Sequence, residues 1–99
     1  MLGEIKGKVR LANDSRGMFG VETDTEGYTV FELIQSTSGI EKGDEISGPL
    51  DALGRQSMKN ITRNGNLNVY IEVVGCTRSE AISLLKLKCF LRLEHFIFF

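Results

Sequence analysis

Little in this chain of 99 residues is placed to do covalent chemistry. The one histidine, His95, lies in an apolar C-terminal stretch, and no nucleophile with an activating neighbour sits near it in sequence. Cys76 and Cys89 together with that histidine do not supply the ligand set of a structural zinc site. Gly17-Met18-Phe19-Gly20 matches neither a P-loop nor a dinucleotide-binding fingerprint. The acidic pair Asp44-Glu45 adjoins a turn and reads as solvated. These residues predict a binding protein, not an enzyme, with no metal and no cofactor. The groups best spaced for chemistry are cations: Lys6, Lys8 and Arg10 alternate along one segment, and Arg16, Lys59 and Arg63 could join them. Cations at every second position of an extended strand project from one side, where they can meet phosphates without reading base sequence. The competing reading is a solvated strand face whose charge discourages edge-to-edge association.

Extended elements must hold such a stripe, and the N-terminal segment has the period they need. Ile5, Gly7, Val9 and Leu11 alternate with Lys6, Lys8 and Arg10, the pattern of a half-buried strand. Asn13-Asp14-Ser15-Arg16-Gly17 is a run of turn formers, after which residues 18–23 read as a second strand. A turn at Asp24-Thr25-Glu26-Gly27 leads to a third, aromatic and β-branched strand at Tyr28-Thr29-Val30-Phe31-Glu32-Leu33. Residues 34–43 are a looser connection, residues 44–50 a short fourth strand with Pro49 near its end, and residues 55–63 a fifth. Asn64-Gly65 predicts a two-residue type I′ turn, and Leu67, Val69, Ile71 and Val73 alternate with polar residues in a sixth strand beyond it. Eleven glycines against one proline favour short strands joined by tight turns.

Length and composition allow one soluble domain: 41% of residues are hydrophobic and 25% charged. The net charge of −1 conceals a polarity, because residues 1–18 sum to +2, residues 19–51 to −7 and residues 52–99 to +4. Such blocks can give a domain with one face attractive to polyanions. They can equally give basic and acidic strands that lie side by side and pair. The N-terminus has no apolar core of signal-peptide length, and no stretch reaches the roughly 18 uncharged apolar residues of a membrane span. With no secretion signal, the two cysteines read as reduced thiols in a cytoplasmic protein.

Several local motifs share one origin. Residues 7–21, GKVRLANDSRGMFGV, resemble the opening of a cold-shock domain, in which a Gly-x-Val-Lys-Trp-Phe-Asn strand leads into a Lys-Gly-Phe-Gly-Phe motif. Val30-Phe31 is similar to part of that family's second motif, Glu41-Lys42-Gly43-Asp44-Glu45-Ile46 to the start of its fourth strand, and Lys59-Asn60-Ile61-Thr62 to its Asn-Val-Thr ending. The resemblance covers roughly residues 5–62. It implies a mainly β fold: a small OB-like five-stranded barrel, here with an extra hairpin strand and a C-terminal apolar strand or helix. It also implies weak, largely sequence-independent binding of single-stranded RNA or DNA, with bases stacked on exposed rings beside a basic groove. By position the binding residues would be Lys6, Lys8, Arg10, Arg16, Met18, Tyr28, Phe31 and Lys59. The chain departs from the family where strand one carries Leu11-Ala12 in place of Trp-Phe, and where Glu32 falls near the second motif's histidine. Strand parity offers Phe19 and Phe31 an inward position beside Val21 and Leu33, and leaves Met18 and Tyr28 outside with Arg10.

The C-terminal stretch stays open at this level. Residues 85–94 alternate almost as a strand, yet Leu, Lys and Glu are helix formers and Ser79-Glu80-Ala81 could open a helix. Leu84, Leu85, Leu87, Phe90, Leu91, Leu93 and Phe96 to Phe99 are too apolar for an exposed extension. The chain therefore divides into a barrel over residues 1–75 and an extension over 76–99 that packs on the barrel or on a partner. An alternative function follows: an OB-like protein-interaction or self-association module, acting through residues 81–99, that has lost nucleic-acid binding. A membrane-surface role for the extension ranks behind both.

Overall fold

The computed structural model describes residues 5–24 and 27–86. Strands β1 (Ile5–Asn13), β2 (Met18–Thr23) and β3 (Tyr28–Ser36) form an antiparallel meander. The chain then crosses to the far edge of β1, where β4 (Glu45–Gly48) pairs from Ile5↔Gly48 to Lys8↔Glu45. A second meander through β5 (Gly54–Asn60) brings β6 (Gly65–Cys76) to the free edge of β3. The result is a closed barrel in the order β1-β2-β3-β6-β5-β4, with every seam antiparallel. The mainly β class and small OB-like barrel expected from the sequence are thus observed. The strand expected as an addition to five is a stave between β3 and β5. Alternating strand directions close without a parallel seam only for an even number of staves, which is what β6 supplies.

Period-two alternation decides which residues fill the barrel. Val9, Phe19, Val21, Phe31, Ile46, Leu67, Val69 and Ile71 are buried in one cluster with Leu50 and Met58. The Phe19 and Phe31 rings lie 6.0 Å apart, tilted by 38°, a favourable aromatic separation. A register shift between Val9 and Leu11 interrupts β1. This bulge takes Leu11 off the face it was expected to share with Val9 and delivers it to a second cluster.

That second cluster lies outside the barrel, beneath a helix. Helix α1 covers residues 78–86 and resolves the helix-or-strand alternative as far as Lys86; residues 87–99 lie outside the described part. A capping box starts it. Thr77 Oγ1 accepts from the Glu80 N–H at 3.1 Å, and Glu80 Oε1 accepts from the Thr77 N–H at 2.9 Å. Gly75, at φ +67°, puts a left-handed bend into the last residues of β6, just before the helix. Ala81 and Leu85, four residues apart, share one helix face and bury against Leu11, Met18, Tyr28, Val30 and Cys76. Asn13 Nδ2 donates to the Leu85 carbonyl at 3.3 Å and ties the helix to the end of β1. Residues 77–86 of the expected extension therefore pack on the barrel itself. Among the described residues no helix is long and apolar enough to cross a membrane.

The β5–β6 connection differs from the expected type I′ turn. Asn64 has φ +55° but Gly65 has no positive φ and already pairs with Asn60. The loop is four residues, 61–64, closed by the Asn64 N–H on the Ile61 carbonyl at 3.3 Å. Gly65 is needed there for space, since a Cβ would collide with Ser38.

Candidate nucleic-acid interface

The pleat of β1 turns Lys6, Lys8 and Arg10 outward, and all three are exposed. Their neighbours are less favourable to a polyanion than the stripe alone. Lys8 stands opposite Glu22 of β2 on one side and Glu45 of β4 on the other. Arg10 Nε donates to Glu22 Oε1 at 3.1 Å. The acidic strands thus flank the basic one, as the side-by-side reading of the charge blocks expected. Exposed pairs of this kind contribute about 0–1 kcal/mol, so they offset the local charge more than they hold the fold.

Lys6 has different company. It pairs with Ser47 of β4, Ser47 with Lys59 of β5, and Lys59 with Asn66 of β6. This row carries two outward lysines and two small polar residues across four strands. The same face of β5 presents Arg55, exposed like Lys59. Among the described residues Lys6, Lys8, Arg55 and Lys59 form no ion pair. Arg16, in the β1–β2 turn, is half-buried and has an interaction partner.

The expected stacking residues are not at the surface. Met18 is 0% exposed, Tyr28 7% and Phe31 0%. Phe31 points into the barrel, as strand parity allowed. Met18 and Tyr28 do occupy the outer face, but α1 covers that face and seals them in the second cluster. Their expected role as exposed platforms is corrected by a packing partner more than 50 residues away in sequence. Tyr70 is the one exposed aromatic among the described residues. It stands opposite Arg55 on β5 and Glu32 on β3. Sequence reasoning passed over Arg55 and Tyr70, although the alternation of β6 already put Asn66, Asn68 and Tyr70 on one face.

A buried polar network fixes the end of this surface. Asp44 Oδ2 accepts from Asn60 Nδ2 at 2.9 Å, Arg63 Nε at 2.7 Å and the Glu41 N–H at 3.0 Å. Burial pushes the Asp44 carboxyl upward, but the hydrogen bonds from Asn60, Arg63 and Glu41 outweigh it and hold the carboxyl below its ordinary range. The same bond and charge raise the Arg63 guanidinium, which also meets Glu41 at 2.9 Å. Arg63 is therefore committed to this network, not to the open face. Cys76 lies buried under α1, its Sγ 3.5 Å from the Tyr28 carbonyl; burial and then the Glu80 charge push its thiol up.

Among the described residues no three histidine, cysteine, aspartate or glutamate side chains gather as a metal site; His95 and Cys89 lie outside the described residues. Comparison with protein-family models, with curated proteins and with solved structures finds no match in any of the three.

Proposed function

We propose that this domain binds single-stranded nucleic acid weakly and with little sequence preference, across the outer surface of β1, β4 and β5. One observation carries the reading: Lys6 and Lys8 on β1 and Lys59 and Arg55 on β5 project from the two sides of β4 with no ion-pair partner among the described residues. Cations without a carboxylate partner are the ones free to replace counterions on a phosphate chain. The likeness of residues 5–62 to cold-shock domains supports the same reading, with the contact surface displaced from the covered β1–β3 face.

Three or four phosphate contacts imply that log affinity falls against log salt with a slope of about −2 to −3 for a single strand. Fluorescence anisotropy with labelled oligo(U) and oligo(dT) across a salt series measures it. The double variant Lys6→Ala/Lys59→Ala is expected to flatten the slope by about 1.4, two contacts at about 0.7 each. Absence of binding at low salt contradicts the proposal.

A second reading is favoured by α1, which closes the face on which a cold-shock domain stacks bases. On that reading the barrel is a protein-interaction module, with Ile34, Leu53 and Ile61 among its exposed apolar residues. Failure to bind either oligonucleotide, with self-association in sedimentation, supports it.

A further inference from the structure

The outward residues of β5, β6 and β3 form a lattice that no cold-shock motif covers. Arg55, Tyr70 and Glu32 make one cross-strand row, and Ser57, Asn68 and Gln35 the next. Directly opposed side chains of an antiparallel pair have Cβ atoms about 4.5–5.5 Å apart, so each row is a contiguous strip. Tyr70, 45% exposed, is flanked by a guanidinium on β5 and a carboxylate on β3. Ser57 Oγ donates to Asn68 Oδ1 at 3.2 Å, which occupies the Asn68 acceptor and leaves its amide donors without an acceptor among the described residues. Beside these rows lies an open groove of about 590 Å³, with Ile34, Arg55, Gln56, Ser57 and Asn68 in its walls.

We infer that Tyr70 is the base-stacking platform of this domain, and that an unpaired nucleobase lies on its ring with the phosphate chain running over β5. The inference rests on the nucleic-acid reading above and gives it a location. Three features favour a nucleotide here. A tyrosine ring offers a flat surface to any base, and stacking of this kind is tolerant of sequence. The Asn68 amide, two residues along the same face of β6, supplies donors for a base edge next to it. The charges impose a direction: Arg55 and Lys59 attract phosphates along β5, while Glu32 repels them on the β3 side. Phosphates therefore run toward the Lys59–Ser47–Lys6 row, and bases turn toward β6.

Anisotropy titrations of oligo(dT) with Tyr70→Ala and Tyr70→Phe separate stacking from charge. Tyr70→Ala is expected to weaken binding about tenfold or more with the salt slope unchanged, and Tyr70→Phe to bind within about twofold of the parent, because the ring is kept. A direct readout comes from Tyr28→Phe, which leaves Tyr70 as the remaining one of two tyrosines. Its fluorescence is expected to be quenched at saturating oligo(dT). If the parent binds with the predicted salt slope but Tyr70→Ala binds equally well and the fluorescence is unchanged, Tyr70 is not the platform and the phosphate surface stands alone. If the parent binds neither oligonucleotide, both readings fall.

Discussion

Asp44 is almost fully buried and still ionised, because three donors converge on its Oδ2. A carboxyl held below its ordinary range favours the folded state only while it is charged. Its contribution is complete above the unfolded value, about 3.9, and is lost as pH falls through the lower folded value. Acid unfolding followed by circular dichroism is therefore expected to show a steeper loss below about pH 4 in the parent than in Asp44→Asn. Asn60, 0% exposed, uses its amide on Asp44 and the Gly39 carbonyl and accepts the Arg63 N–H at 3.1 Å. Asn60→Ala is expected to cost about 1–3 kcal/mol for each buried group left unsatisfied, read from the denaturant midpoint. None of this convergence was visible in the sequence, where Asp44-Glu45 reads as solvated. Asp44 and Asn60 are sixteen positions apart, and only the β4–β5 pairing brings them together.

At the scale of elements, local period was legible and long-range cover was not. The alternation of β1, β2, β3 and β6 assigned Phe19, Val21, Phe31, Val69 and Ile71 to the inside. It also placed Met18 and Tyr28 outside, which is where they are. What periodicity cannot express is that Ala81 and Leu85 return to cover them. The hairpin shows the same limit. A two-residue loop at Asn64-Gly65 would set Lys59 opposite Tyr70, whereas the four-residue loop observed sets Arg55 there, so one turn decides which cation neighbours the exposed ring. The cover itself is testable. Leu85→Ala is expected to cost about 2–4 kcal/mol through lost burial and an unfilled cavity. In a Cys89→Ser background it is also expected to speed alkylation of Cys76, whose protection depends on α1. Unchanged Cys76 reactivity in Leu85→Ala would mean that the helix does not guard that face.

For the whole molecule, a net charge of −1 is a poor guide to what it attracts. The barrel sorts its charges by strand. Glu22 and Glu45 flank Lys8, Arg10 is paired, and Lys6, Lys59 and Arg55 stand clear of ion pairs among the described residues. With Met18 and Tyr28 covered by a helix, a second outer face remains, and it carries the one exposed ring among the described residues. The most direct measurement is a titration of the isotope-labelled protein with oligo(dT), followed by backbone amide shifts. Saturable shifts are expected at Lys6, Ser47, Arg55, Lys59, Asn68 and Tyr70, with Leu11, Met18, Tyr28 and α1 unmoved. Shifts centred on Met18, Tyr28 and α1, or no shifts at all, would contradict it.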